Sequence, residues 1–84
     1  MTDEKIIDRI MNSIKIDGVC PEILLNEGLV VQDVSDINVD KRTSTYAKGT
    51  VTLDLEDNDM EFNSIVGEFE IDDNKVEFGE FEPV

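Results

Sequence analysis

The stretch that decides the fold is SIVGEFEIDDNKVEFGEFE, residues 64–82. Apolar and polar residues alternate on both sides of Asp73-Asn74, and this period of two is typical of strands with one buried face. Asp and Asn tolerate positive φ, so the pair suits a tight hairpin turn. With the turn there, Phe69 lies opposite Phe78 on one face. The stretch therefore predicts an antiparallel hairpin with an apolar inner face and an acidic outer face.

A similar pair, Asp57-Asn58, predicts a second hairpin upstream. The alternation then slips by one residue, so we expect a β-bulge near residues 63–64, with similar bulges near Ser35 and near Gly79. Bulges bend strands, which predicts a curled sheet. The cross-strand pairs expected upstream are Leu55 with Met60, Gly49 with Gly67, Ala47 with Phe69 and, in the first hairpin, Val39 with Ala47.

Two helices are expected before the strands. Ile6 and Ile10 belong to an apolar face at helical spacing, with Thr2 as a suitable N-cap. Gly18 and Gly28 suit the left-handed conformation that commonly follows a helix. The elements expected are helices over 2–16 and 21–27 and strands over about 29–40, 45–55, 60–72 and 75–82.

This order resembles the cystatin-like topology, in which a curled antiparallel sheet grips one long helix. We therefore expect an α+β fold with a four-stranded meander. A chain of 84 residues encloses one core, which predicts a single domain over 1–84. The cystatin-like layout hosts inhibitors, enzymes and scaffold domains alike, so the resemblance does not select a function.

The charge of the chain is strongly acidic and unevenly distributed. Twenty-one acidic and seven basic residues give a net charge of −14. The last 36 residues hold 12 of the acids and a single base, Lys75. Direct binding to nucleic acid is excluded because it depends on Lys and Arg neutralising phosphates, and an anionic membrane would repel this surface. The partner that fits is a basic protein.

Composition argues against an enzyme and against a bound metal or cofactor. With no His and one Cys, the chain cannot form Cys/His zinc sites or Ser-His-Asp triads. Asp57, Asp59 and Glu61 match the first three acids of an EF-hand loop, but Phe62 stands where the loop needs Gly. The N-terminus lacks the pattern of a signal peptide and no apolar run exceeds three residues, so we expect a cytoplasmic protein, in the host cell if phage-encoded.

The acids of the predicted strands should project outward because the apolar residues take the inner face. Glu70 then lies opposite Glu77, a like-charge pair for which only Asp72 with Lys75 offers compensation. Tyr46 also faces outward. The residues expected to bind the partner are Glu56, Asp57, Asp59, Glu68, Glu70, Asp72, Asp73, Glu77, Glu80 and Glu82.

The leading functional hypothesis is a DNA mimic, an inhibitor that blocks the basic groove of a DNA- or RNA-handling enzyme. Small acidic phage inhibitors of restriction, repair and CRISPR enzymes are similar to this chain in size and charge. One alternative is a structural or assembly protein of a phage or mobile element that pairs through its sheet edges. Another is a soluble interaction domain whose acidity serves only solubility.

Overall fold

The computed structural model describes residues 1–84 as two helices packed on one open, four-stranded antiparallel sheet, which is an α+β fold. The strand order is β1-β2-β3-β4, a meander in which neighbours in sequence are neighbours in the sheet. The elements are α1 (Asp3–Asn12), a π-helical turn (Ser13–Asp17), α2 (Glu22–Glu27), β1 (Val31–Arg42), β2 (Tyr46–Leu55), β3 (Ser64–Asp72) and β4 (Lys75–Pro83).

Both helices begin and end much as their sequences predict. The Thr2 hydroxyl accepts a hydrogen bond from a backbone N–H of the first turn, and Gly18 and Gly28 close the helical segments at φ 73° and 64°. The last turn of the first segment is π-helical, with the Ser13 hydroxyl donating to a backbone carbonyl 3.1 Å away. The second helix starts one residue later than predicted because Pro21 keeps an extended ψ of 142°. Neither helix is long and apolar enough to cross a membrane.

One hydrophobic core lies between the helices and the inner face of the sheet. The helix α1 contributes the fully buried Ile6 and Ile10, which confirms its predicted apolar face. Alternate residues of β2 and β3 supply most of the remainder. The buried hydrophobic residues are Ile6, Ile10, Leu24, Leu29, Val31, Ala47, Val51, Leu53, Leu55, Ile65, Phe69 and Ile71.

The hairpin of β3 and β4 has the predicted register. Phe69 lies opposite Phe78, and Asp73 adopts a positive φ of 55° in the turn. The register shifts between the pairs made by Gly67 and Phe69, which confirms the irregularity expected near Gly79. A shift between the pairs of Val34 and Asp36 likewise confirms the bulge near Ser35.

The predicted hairpin at Asp57-Asn58 is wrong. Strand β2 ends at Leu55, and residues 56–63 form a loop before β3. The Asn58 side chain donates to the Glu56 carbonyl at 3.0 Å and accepts from a backbone N–H at 2.7 Å, so local hydrogen bonds replace strand pairing. The loop absorbs the change of alternation without the bulge expected at residues 63–64. The observed pairs are Asp54 with Ser64, Val51 with Gly67, Gly49 with Phe69, Ala47 with Ile71 and, between β1 and β2, Val39 with Gly49.

Two arginines hold α1 on the sheet, and they are the only two in the chain. The guanidinium group of Arg42, at the end of β1, lies 2.6 Å from a carboxylate oxygen of Asp3. The guanidinium group of Arg9 donates to the carbonyl oxygen of Asp73 in the turn between β3 and β4. The helix is therefore anchored near both hairpin turns, β1–β2 and β3–β4, which lie side by side at one end of the sheet.

Candidate acidic binding face

The sheet has one face covered by both helices and one face that is open. Residues directly opposite on paired strands project to the same side, so the pairings assign each paired residue to one side of the sheet. We call the open side the outer face. Its charged residues are eight carboxylates (Asp33, Asp36, Asp54, Glu68, Glu70, Asp72, Glu77 and Glu82) and three lysines (Lys41, Lys48 and Lys75).

The outer face brings together half of the residues that the sequence predicts for partner binding. Three lie along β3 and two along β4, and all alternate with inward-facing residues. These residues are Glu68, Glu70, Asp72, Glu77 and Glu82.

The other five predicted residues lie elsewhere. Glu56, Asp57 and Asp59 are exposed in the loop between β2 and β3, and Asp73 lies in the turn beside α1. Glu80 belongs to the irregular segment of β4 and lines a groove of about 600 Å³ between β4 and α2. These five residues fail to join the outer face because a loop, a turn and a bulge interrupt the alternation that orients strand side chains.

Three outer-face carboxylates escaped the sequence analysis, and they come from the first two strands. Asp54 follows the outward positions of β2, and its carboxylate accepts a hydrogen bond of 2.9 Å from the Ser64 hydroxyl. Asp36 is turned outward by the bulge beside it, and Asp33 pairs with Asp54. Two features of the sequence could have identified these residues as outward-facing: the alternation of β2 for Asp54, and the predicted bulge near Ser35 for the residues of β1.

Tyr46 is fixed in place on the outer face, as its predicted outward position requires. Its hydroxyl donates to Oε2 of Glu70 at 2.7 Å, and the Lys41 ammonium lies 5.8 Å from the centre of its ring. The hydrogen bond to Glu70 raises the pKa of Tyr46, and desolvation and the negative charges of Glu70 and Asp72 add to the effect.

The like-charge pair of Glu70 and Glu77 is present as predicted, but its compensation differs. Asp72 lies opposite Lys75 in the register, as predicted, but the ion pair that Lys75 forms is with Glu77, whose Oε1 lies 3.0 Å from the ammonium group. The hydrogen bond with Glu77 raises the pKa of Lys75, and the negative charge of Glu77 adds to it. Lys48 of β2 lies directly opposite Glu70. Each member of the like-charge pair therefore has a cationic neighbour.

The carboxylates of the outer face are spread out. No group of three or more His, Cys, Asp or Glu side chains in the structure could hold a metal ion. Asp36, Glu68 and Glu82 make neither an ion pair nor a side-chain hydrogen bond within the chain, and all three are exposed. Their arrangement suits contact with an extended cationic surface.

The fold and this face together define an acidic α+β protein with an open antiparallel sheet. Comparison with known proteins found no match among protein-family models, curated proteins or solved structures.

Proposed function

We propose that this protein binds a basic protein through its outer face, and that the carboxylates of this face stand in for the phosphates of a nucleic acid. The observation that supports the proposal is the charge of the uncovered sheet face, where eight carboxylates against three lysines leave an excess of five negative charges. The proposed activity is binding, without catalysis.

The spacing of the carboxylates fits the proposal. Glu68, Glu70 and Asp72 are two residues apart along β3, so their side-chain bases are separated by roughly 6.5–7 Å. Phosphates along one strand of a duplex rise by roughly 3.4 Å per nucleotide and are further displaced around the helix, which gives a comparable separation. A groove lined by Lys and Arg would therefore meet a row of negative charges spaced like the phosphates of a nucleic acid.

The finer predictions from the sequence belong to the same proposal. An inhibitor of the phage anti-defence type, directed against a restriction, repair or CRISPR enzyme, is the function that this surface would serve. A cystatin-like sheet that curls around its helices would make the outer face convex, and a convex acidic face suits a concave basic groove. The cytoplasm, where such enzymes act, is the proposed location.

The test is a capture experiment with charge-reversal variants. The immobilised chain is incubated with lysate of its source cells at low salt, and retained proteins are identified by mass spectrometry. We expect a basic nucleic-acid-handling protein that is released by salt and displaced by added double-stranded DNA or RNA. The triple variant Asp36→Lys, Glu68→Lys, Glu82→Lys should lose this capture, because these three carboxylates have no partner within the chain.

The control carries the same change of charge away from the outer face. The variant Asp8→Lys, Glu27→Lys, Glu61→Lys alters exposed residues of α1, α2 and the loop, and it should retain the partner. Equal loss in both variants would show that only net charge matters. Capture that nucleic acid does not displace, or no capture at all, would contradict the proposal and leave the acids a role in solubility.

A further inference from the structure

Exposed apolar side chains occur in the segments that lead from the π-helical turn through α2 to the start of β1. Four large hydrophobic residues here are largely open to solvent: Ile16 (76% exposed), Leu25 (69%), Val30 (52%) and Val19 (44%). We call these four residues the apolar patch. Leu25 and Val30 line one groove, and Ile16 and Val19 follow or precede its lining residues Lys15 and Cys20 in sequence; exposed apolar surface of this kind usually marks a contact site in a small protein.

The apolar patch borders a groove of about 250 Å³ that Leu25 and Val30 line together with core residues. Seven of the eight lining residues are hydrophobic, and the only charged one is Lys15. In a chain with a net charge of −14, this groove has no carboxylate in its lining. The charge of the groove lining is therefore opposite in sign to the net charge of the whole molecule.

We propose that the apolar patch binds a second copy of this chain and forms a two-fold symmetric dimer. A two-fold interface joins the same surface on both copies, so an apolar groove on one copy meets apolar side chains on the other. The charges complement each other in the same way, because the exposed Asp17 of each copy is available to the Lys15 of its partner. A basic partner fits this groove less well, since it would meet Lys15 and no lining carboxylate.

The position of the patch keeps the proposed dimer compatible with an open outer face. The groove includes the core residues Leu24, Leu29 and Val31, which lie on the helix-covered side of the sheet. The acidic outer faces of both copies would remain uncovered. The dimer also does not depend on the proposed function, because it uses none of the outer-face carboxylates.

The proposed dimer and the binding of a basic protein should depend on salt in opposite directions. Two copies with a net charge of −14 repel each other, and salt screens that repulsion over a distance that falls from roughly 10 Å at 0.1 M to roughly 3 Å at 1 M. The dimer should therefore strengthen as salt is added. Binding of a basic protein to the outer face should weaken under the same change.

The experiment measures the mass of the full chain by analytical ultracentrifugation, over concentrations from about 5 µM to 1 mM and at about 0.05 and 0.5 M NaCl. We expect a shift from the monomer mass of 9.5 kDa to twice that value, with tighter association at the higher salt. Cys20 lines the same groove and is the only cysteine, so its reaction with a thiol reagent should slow as the chain concentration rises.

Substitutions in the patch separate the interface from general charge effects. Leu25→Asp should raise the dimer dissociation constant at least about tenfold, and the uncharged Leu25→Ser should raise it in the same direction. Val84→Asp adds the same charge at an apolar residue that is 75% exposed and lies outside the patch, so it should have little effect. Circular dichroism confirms that each variant is folded.

Three results would overturn the proposal. The first is a monomer at every concentration and salt. The second is a dimer that Leu25→Asp leaves unchanged, and the third is a dimer that salt weakens.

Discussion

Tyr46 is the only aromatic residue on the outer face, and its hydrogen bond to Glu70 holds it in a defined orientation. In the observed register Tyr46 lies opposite Asp72, so its bond to Glu70 runs diagonally between β2 and β3, a distance that an aromatic side chain can bridge. The sequence predicted that Tyr46 faces outward, because alternation fixes the side of a strand. The partner of its hydroxyl depends on strand register, which the sequence misassigned here.

We predict that the hydroxyl of Tyr46 titrates above the ordinary value of a tyrosine. The chain has one tyrosine and no tryptophan, so absorbance near 295 nm follows this group alone. The Glu70→Ala variant should return the midpoint toward the ordinary value, whereas Glu77→Ala should shift it much less. Equal midpoints in the native chain and in Glu70→Ala would show that the hydrogen bond is absent in solution.

The same shift predicts the direction of a pH effect on stability. The folded state raises the pKa of Tyr46, so it binds this proton more tightly than the unfolded chain does. The stabilisation is therefore complete below the unfolded pKa and is lost as the pH rises through the folded pKa. Urea unfolding at a series of alkaline pH values should show this loss in the native chain and a smaller one in Glu70→Ala.

At the scale of the elements, β1 and β2 approach closely at Gly49. A Cβ atom on Gly49 would overlap the carbonyl oxygen of Asn38 and lie 2.9 Å from the Cα of Val39, and both atoms belong to the backbone of β1. Backbone atoms in a paired strand cannot move aside as a flexible side chain can. We predict that Gly49→Ala lowers the free energy of unfolding by about 2 kcal/mol or more.

Gly79→Ala is the matched control for this substitution. A Cβ at Gly79 meets only Glu68, whose side chain lies 3.4 Å away and whose carbonyl oxygen lies 3.9 Å away, so the change in stability should stay within about 0.5 kcal/mol. Urea unfolding midpoints measure both variants. A similar, small effect at both positions would mean that β1 and β2 are not paired as closely as described.

The two Asp-Asn pairs show how far the sequence predicts a hairpin. At Asp73-Asn74, inner-face residues pair correctly on both sides of the turn, and the predicted register is the observed one. At Asp57-Asn58, the apolar alternation beyond the pair belongs to a loop in which Met60 is exposed and Phe62 only half-buried. The residue types are alike, but at the second pair the Asn58 side chain forms local hydrogen bonds that compete with strand pairing, and the packing of Phe62 against the core is a tertiary feature that a two-residue signal does not contain.

At the scale of the whole molecule, the acidic charge is only weakly compensated. Two ion pairs join charged side chains within the chain, Arg42 with Asp3 and Lys75 with Glu77. The sequence predicted the acidic excess on the sheet because the number of charged residues and the alternation of apolar and polar residues can both be read directly from it. It missed the carboxylates of β1 and β2, whose membership of the same face is set by the pairing of four strands.

We predict that salt stabilises the fold. Like charges on the outer face repel in the native state, and the repulsion is screened as NaCl rises from about 0.05 to 1 M. The thermal unfolding midpoint should rise over this range. The midpoint of the triple variant Asp36→Lys, Glu68→Lys, Glu82→Lys should rise less. If salt raised the midpoints of both proteins equally, the repulsion would lie outside the outer face.

The anchoring of α1 by Arg9 and Arg42 has a consequence for the order of assembly during synthesis. Each strand of the meander can pair with its predecessor as soon as it leaves the ribosome, because sheet order follows chain order. The acceptor for Arg9 lies in the turn between β3 and β4, 64 residues downstream, so this contact of the first helix can form only after β3 has been made. Pulse-labelling hydrogen exchange during refolding should show amides of β1 and β2 protected before those of α1. Until β2 and β3 have formed, the nascent chain exposes the apolar face of α1, and chaperones that recognise such surfaces have their longest access to the N-terminal segment.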